Sequence, residues 1–278
     1  NQKTMSKAKN ETYIKDNDIK YKDRGVSVIT MISENENNGD SKVEEKKDDQ
    51  KDNSVIKHKK ELLPNNVSSK MDLYSKDKAI SYAQQLSIMD YEIYCNINVR
   101  EFLYNILNKS QTNKWNSLQL FIDRFQQLYQ YVIVKIIGAS SLELRIAMIE
   151  FYILVCEHLL KLNDLYSFMA LYTALKSTPL YKLKTAWEFV GKIYKDKCDN
   201  ELTMMSSSKK NFKLVRTYQH NVPHNKSCTP FIPIIFRDLV YLNDANQKKL
   251  KNENNHINFI KYSKLTEFCN DNILKYKG

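Results

Sequence analysis

Glycine is scarce in this sequence, whose 278 residues include only 5 glycines. Neither of the glycine-rich loops that hold nucleotide phosphates, GxxxxGK[ST] and GxGxxG, occurs in it. Such loops need glycine because their backbone must approach the phosphates closely. The sequence therefore argues against nucleotide binding through a loop of this kind, and we expect no cofactor.

Cysteine is also sparse, and its spacing forms no motif. The five cysteines are scattered, odd in number and without a CxxC pair: Cys95, Cys156, Cys198, Cys228 and Cys269. A disulfide-stabilised extracellular domain and a cysteine-based zinc site are both disfavoured. His220, His224 and Cys228 are four apart and could share a helix face as metal ligands. Pro223 would break that helix, so an exposed loop without a metal is the favoured interpretation.

Long apolar runs are missing as well. No uninterrupted apolar stretch reaches the length of a membrane span, and no signal-peptide pattern opens the chain. The chain begins at Asn1 rather than Met, so we expect a piece of a longer protein. We expect a cytoplasmic protein, with recruitment to membranes left open.

The charge of the chain is unbalanced. Lys and Arg number 43 against 32 Asp and Glu, which gives a formal net charge of +11. Such an excess raises the question of nucleic acid, but no RRM, zinc-finger or KH signature accompanies it. A solvated basic face is the simpler interpretation, and it is compatible with weak attraction to an acidic membrane surface. We therefore predict no nucleic-acid partner.

Apolar residues divide the chain into two parts. Residues 1–75 are mainly Asn, Lys, Asp, Glu and Ser. A segment so poor in apolar surface cannot offset its chain entropy, so we predict a mostly disordered polar leader. Residues 76–278 are dense in aromatic and aliphatic side chains, and we predict one folded domain there.

Helical periodicity dominates this second part. Apolar residues between Leu118 and Ile137 recur at steps of three and four, which predicts an amphipathic helix. Ser140 and Glu143 predict a capping box for the next helix, whose apolar residues lie on most sides and predict a central position. Strand-like alternation is short-lived, so the predicted fold class is all-α.

Two further helix starts can be read from the sequence. Asn163-Asp164 ends the central helix and caps the next one. Thr178-Pro179 predicts another start, with a helix running from there through Tyr194.

The groups needed for bond chemistry are not arranged in any recognisable pattern. No Ser-His-Asp or Cys-His arrangement can be identified, and the acidic residues do not pair around an obvious cleft. We predict a protein that does not make or break covalent bonds.

The segment CTPFIPIIFRDLVYLNDAN (228–246) places Phe231, Ile232, Ile234, Ile235 and Phe236 almost side by side in an otherwise polar and basic chain. It could be a buried strand, a core helix, or a surface that enters another protein. Val240 and Asp244 are four residues apart, so both would project from one face of a helix. These positions alone favour a core helix with Asp244 in its last turn.

Six segments, in order, resemble the catalytic domain of Ras guanine-nucleotide exchange factors of the Son-of-sevenless class. They are AQQLSIMDYEIYCNINVREFL (83–103), LQLFIDRFQQLYQYVIVKII (118–137), HLLKLNDLYSFMALYTALKSTPLYKLKTAWE (158–188), NFKLVRTY (211–218), TPFIPIIFRDLVYLNDAN (229–246) and INFIKYSKLTEF (257–268). Each is weak alone, but the order over about two hundred residues is specific. The resemblance implies a RasGEF-type helical domain with a protruding helical hairpin.

The function implied by the resemblance is nucleotide exchange on a small GTPase of the Ras, Rap or Ral type. A hairpin helix would displace switch I and disturb the Mg²⁺ and phosphate site, so that GDP leaves and GTP loads. Phe231 matches the aromatic at the base of that helix, Val240 the apolar residue near Mg²⁺, and Asp244 the acidic residue that engages phosphate-binding groups. We name these three as the catalytic set.

The resemblance also implies a surface that receives the GTPase. The matching positions are Ile122, Arg124, Met169, Lys176, Tyr181, Phe212 and Asn246. Lys176 stands where the family usually has Asn, Pro233 where Gly is common, and Ala245-Asn246-Gln247 where Gly-Asn-Pro is frequent. These departures support an alternative: an adaptor of the same fold that binds a GTPase with weak or no exchange activity.

Overall fold

The computed structural model of the chain describes residues 74–107, 117–207, 209–223, 226–246 and 256–277. The predicted disordered leader lies outside these ranges apart from its last two residues. Regular secondary structure in the described ranges is helical, and an isolated backbone bridge joins Asp164 to Thr229. The all-α prediction is confirmed.

The chain order of the described elements is as follows. The helices are α1 (Lys76–Asn96), α2 (Val99–Leu107), α3 (Ser117–Ile137), α4 (Leu142–Lys161), α5 (Leu165–Leu175), α6 (Thr178–Tyr181), α7 (Lys184–Phe189), α8 (Lys192–Asp196), α9 (Thr203–Ser206), α10 (Lys209–Asn221), α11 (Ile232–Ala245) and α12 (Phe259–Asn272). A π-helical turn, Lys197–Leu202, precedes α9, and a 3₁₀ turn, Leu274–Tyr276, follows α12.

Helix α5 lies at the centre, and all of its side chains are buried. Its sequence, LYSFMALYTAL, has apolar residues on every side rather than along one stripe, and a helix of that kind must be enclosed. Helices α3 and α4 pack along it, and α1 packs against α4. The ring of Tyr166 stacks on Phe121 with centroids 4.0 Å apart. The central position predicted for α4 is thus shared with α5.

The break between α4 and α5 has a local cause. Asn163 adopts a left-handed backbone conformation, with φ of 59°, which Asn tolerates better than most residues. The side-chain Oδ1 of Asp164 then accepts a hydrogen bond from the backbone N–H of Ser167 at 3.0 Å and caps α5. The predicted break and cap are confirmed.

The predicted capping box of α4 is wrong by one residue. The N-cap is Ser141, whose Oγ accepts a hydrogen bond from the backbone N–H of Leu144 at 3.2 Å. Ser140 lies outside the helix and is exposed. Glu143 is in the first turn, where its charge favours the positive end of the helix dipole. Two adjacent serines offer the same cap, and the sequence does not distinguish them.

The single helix predicted from Thr178 through Tyr194 is also wrong, because this stretch forms three short helices, α6 to α8. Glu150 on α4 accepts a hydrogen bond from the backbone N–H of Gly191 at 2.8 Å, where α8 begins. The Trp187 indole donates to the Leu180 carbonyl at 2.9 Å. These contacts satisfy polar groups at the breaks, so tertiary structure overrides local helix propensity.

Helices α11 and α12 form an antiparallel pair. Ile235 near the start of α11 and Asn270 near the end of α12 line one cavity of about 590 Å³. At the opposite end, Lys261 in the first turn of α12 reaches the carbonyl of Asn243 in the last turn of α11. Helix α2 also packs against α11. The helical hairpin implied by the sequence resemblance is present in the described residues on either side of its connection.

Candidate functional site

Phe231 anchors the base of the hairpin. It precedes α11 and is fully buried. Its ring centroid lies 6.0 Å from that of Phe125 on α3 and 6.1 Å from that of Phe212 on α10. Its backbone N–H donates to the Gln219 side-chain oxygen at 3.3 Å. Because the ring has no accessible surface, Phe231 could influence a partner only through the position of α11.

The chain that enters α11 is also fixed at the backbone. The N–H of Thr229 donates to the Asn163 carbonyl, and the N–H of Leu165 donates to the Thr229 carbonyl, each at 3.0 Å. Both partners belong to the junction between α4 and α5. The hairpin is therefore attached directly to the central helices of the fold.

The outer half of α11 carries the other two residues of the predicted catalytic set. Val240 is partly buried and packs against the core, whereas Asp244 is exposed. Tyr241, between them, is 77% exposed. The Asp244 carboxylate accepts a hydrogen bond from the Asn243 side-chain amide at 3.1 Å. The helix thus presents a carboxylate and a large aromatic side chain to solvent near its end.

Asn246, predicted to contact a GTPase, is the C-cap residue of α11. Its side-chain amide donates to the Leu242 carbonyl at 2.8 Å, one turn back in the same helix. The half-buried side chain is therefore already engaged within the hairpin.

An ion pair that the sequence analysis missed joins α10 to α11. The Arg216 guanidinium binds both carboxylate oxygens of Asp238, with 2.9 Å between Nη2 and Oδ1. Beside it, the Arg237 guanidinium lies over the Phe212 ring, 5.7 Å from its centroid. Phe212 is 1% exposed and has a positive φ of 57°, which is unusual for a bulky residue. This predicted contact residue is therefore held beneath the surface by α11.

Arg124 belongs to a buried polar cluster. Its guanidinium binds Asp90, which is fully buried and also accepts a hydrogen bond from the Ser167 hydroxyl. Burial raises the pKa of the Asp164 carboxyl well above its usual range, and the neighbouring charge of Asp90 raises it further. Burial raises the pKa of Asp90 too, and the charge of Arg124 offsets part of that shift. The Arg124 charge favours the ionised form of Asp90, whereas burial and the Asp90 charge both favour the protonated form of Asp164.

This cluster makes stability depend on pH in a defined direction. The pKa of Asp164 is raised in the folded state. The unfolded chain therefore releases this proton as pH rises above the ordinary Asp pKa of 3.8, whereas the folded state retains it. The contribution of Asp164 to the free energy of unfolding therefore falls as pH rises from the unfolded-state pKa through the folded-state pKa. Asp164→Asn retains the capping oxygen but cannot ionise. We expect its free energy of unfolding, relative to that of the wild type, to increase as pH rises from about 5 to about 8. Urea denaturation at both pH values measures the free energy of unfolding of each protein.

Two controls accompany this measurement. Asp271→Asn removes an exposed carboxylate and should track the wild type at both pH values. Asp164→Ala also removes the cap of α5 and should be about 1–3 kcal/mol less stable at either pH. A constant stability difference between wild type and Asp164→Asn across this range would contradict a raised pKa of Asp164.

Lys176, one of the departures from the family pattern, has partners within the chain. Its ammonium forms an ion pair with Asp199, with 2.5 Å between Nζ and Oδ1. It also lies 5.9 Å from the ring centroid of Tyr172. The Lys176 side chain is 29% exposed, so it is partly accessible from solvent.

The remaining predicted contact residues differ in accessibility. Ile122 on α3 is partly buried, and Tyr181 on α6 is 45% exposed. Met169 on α5 is fully buried, so it supports the surface from beneath. Helix α6 packs against α3 and α5, which brings these three positions onto neighbouring elements.

The described residues also bear on metal binding and on membrane insertion. No group of three or more His, Cys, Asp or Glu side chains among the described residues could hold a metal ion. His224, from the spacing noted in the sequence, lies outside the described residues, and Cys228 is buried. None of the helices described combines the length and apolar character needed to cross a bilayer.

Comparison with known proteins assigns the family. The profile of the RasGEF domain matches residues 81–263. Cell division control protein 25 of Saccharomyces cerevisiae is 28% identical over 222 residues, which are 77% of this chain and 14% of that protein. Guanine nucleotide exchange factor SDC25 of the same species is 26% identical over 204 residues, 69% of this chain and 16% of that protein.

A vertebrate relative extends the comparison. Ras-specific guanine nucleotide-releasing factor RalGPS1 of Danio rerio is 26% identical over 166 residues, which are 59% of this chain and 28% of that protein. The chain thus spans less than a third of the length of each of these relatives. Since the domain profile covers most of the chain, the protein belongs to the RasGEF domain family.

Proposed function

We propose that this chain is a guanine-nucleotide exchange factor for a small GTPase of the Ras family. The observation that carries the proposal is the match of the RasGEF domain to residues 81–263, a span that includes α11. The names of two similar proteins, SDC25 and RalGPS1, describe nucleotide exchange or release. The partner would be a GTPase of the Ras, Rap or Ral type.

In the proposed mechanism α11 enters the GTPase beside switch I. Val240 would bring an apolar side chain to the Mg²⁺ neighbourhood, where it cannot replace an oxygen ligand. Asp244 would offer a carboxylate to the groups that otherwise bind phosphate. The exposure of Asp244 supports this role, and the buried ring of Phe231 would hold the helix at the required angle. No covalent bond is made or broken by the exchange factor.

The energetics of exchange are those of differential binding. The factor can weaken nucleotide affinity only as far as it prefers the nucleotide-free GTPase over the nucleotide-bound one. A ten-thousandfold effect requires a preference of about 5.5 kcal/mol. We propose that the surface around Ile122 and Tyr181 supplies initial docking and that the hairpin supplies this preference.

The proposed place of action is the cytoplasm, with contact to acidic membrane surfaces through the basic excess of the chain. A net charge of +11 favours such contact at low ionic strength. No membrane contact is needed for the exchange step itself.

The exchange assay tests this function directly. Purified Ras, Rap and Ral GTPases are loaded with fluorescent GDP, excess GTP is added, and release is followed with and without the 278-residue chain. We expect accelerated release from at least one GTPase. No acceleration across the panel would defeat the proposal, and stable binding without acceleration would establish the adaptor alternative.

A further inference from the structure

Lys261 is a buried lysine at the junction of the two hairpin helices. It lies in the first turn of α12, and the residue is only 2% exposed. Its ammonium donates to the Asn243 carbonyl at 2.7 Å and to the Asn246 carbonyl at 2.8 Å. Both carbonyls belong to the end of α11, so the lysine of one helix closes the end of the other.

The chemistry of a helix end explains why a lysine can be buried here. The last carbonyls of an α-helix have no intrahelical donor, and they carry the negative end of the helix dipole. An ammonium group supplies both hydrogen-bond donors and the complementary charge. The backbone N–H of Lys261 donates a hydrogen bond to the Asn258 side-chain oxygen at 3.2 Å, which fixes the backbone position of the lysine.

The segment closed by Lys261 contains the proposed functional carboxylate. Asp244 lies between Asn243 and Asn246, and Val240 is one turn earlier. Helix ends fray unless their terminal groups are satisfied, and an exposed carboxylate on a frayed turn has no fixed position. The position of Asp244 therefore depends on the contacts that close this last turn.

We propose that Lys261 is a positioning residue that fixes the last turn of α11 against α12 and thereby orients Asp244. The effect on nucleotide exchange rests on the proposed function, whereas the effect on hairpin order does not. Loss of the ammonium would leave the hairpin assembled at its base, where Phe231 and Asp238 hold it, but disordered at the end that carries Asp244.

The test compares Lys261→Met with Lys264→Met in the full chain. Both variants remove one lysine charge from α12, but Lys264 is exposed. Hairpin order is measured without any GTPase, from the distance distribution between spin labels at Gln84→Cys on α1 and Tyr241→Cys on α11. Both labelled positions are exposed, and the half-buried Cys95 is changed to Ser so that it does not take a label.

We expect Lys261→Met to broaden this distance distribution, while Lys264→Met leaves it as in the wild type. In the exchange assay Lys261→Met should lower kcat by about tenfold or more and change KM for GDP-loaded GTPase by less than about threefold. A loss of docking alone would change KM instead. Circular dichroism melts establish that each variant is folded at the assay temperature.

The outcomes separate this proposal from the proposed function. An unchanged distance distribution in folded Lys261→Met overturns the positioning role, even if exchange is slow. If wild-type chain does not accelerate exchange, the function fails, while the distance measurement still decides whether Lys261 orders the hairpin. Should Lys261→Met be unfolded, Lys261→Gln, which retains an amide donor but no charge, replaces it: a broader distribution than in the wild type supports the positioning role, and a wild-type distribution overturns it.

Discussion

Asp244→Lys is expected to slow GDP release by about a hundredfold or more relative to the wild type. In the proposed mechanism Asp244 competes for phosphate-binding groups, so the variant would present a cation to those groups, and such like-charge contacts cost several kcal/mol. About 2.8 kcal/mol corresponds to a hundredfold change. Stability should be nearly unchanged, because Asp244 is exposed and a cation near a helix C-terminus is favourable. Fluorescent-GDP release measures the rate, and a thermal melt measures the stability.

The matched control for this variant is Glu267→Lys. It makes the same change of charge at an exposed position of α12, in the same hairpin. We expect it to retain most of the wild-type rate. Equal rates for Asp244→Lys and wild type would remove Asp244 from the proposed mechanism, and equal losses in both variants would indicate a general charge effect.

Phe231→Ala is expected to destabilise the folded chain by about 3–5 kcal/mol, the usual range for deleting a fully buried Phe ring. The ring is fully buried and contacts the rings of Phe125 and Phe212. Because these contacts join α11 to α3 and α10, exchange should also fall sharply at a temperature where the variant is folded. Chemical denaturation gives the free energy of unfolding, and the exchange assay gives the rate.

Tyr241→Ala is the control for the loss of an aromatic ring from this segment. Tyr241 is 77% exposed, so its removal should change the free energy of unfolding by less than about 0.5 kcal/mol. A Phe231→Ala variant as stable and as active as the wild type would show that the base of the hairpin does not depend on this ring.

The sequence was sufficient for the architecture of the domain because its patterns are long. The apolar repeat between Leu118 and Ile137 lies in α3, and the predicted break at Asn163-Asp164 lies at the junction of α4 and α5. The exact ends of helices were predicted less well: the N-cap of α4 is Ser141 rather than the predicted Ser140. The break at Gly191 depends on Glu150, which lies on another helix, and no local pattern reports such a contact.

The candidate site shows the same limit. Spacing placed Val240 and Asp244 on one helix face, but it did not distinguish accessible residues from those beneath the surface, such as Met169 and Phe212. Lys261 could have been noticed, since it precedes Leu265 and Cys269 at four-residue steps in the buried stripe of α12. A lysine in such a stripe needs a polar partner. The identity of that partner, the end of α11, required the fold.

The proposed exchange activity requires that this chain prefer a GTPase without nucleotide. The most direct measurement compares its dissociation constants for nucleotide-free and GDP-loaded forms of the GTPase that responds in the exchange assay. We predict binding at least about a thousandfold tighter to the nucleotide-free form. By thermodynamic linkage, the ratio of the two dissociation constants equals the factor by which the chain weakens GDP affinity. Equal affinity for the two forms would contradict the account, because a ligand without preference cannot shift the equilibrium.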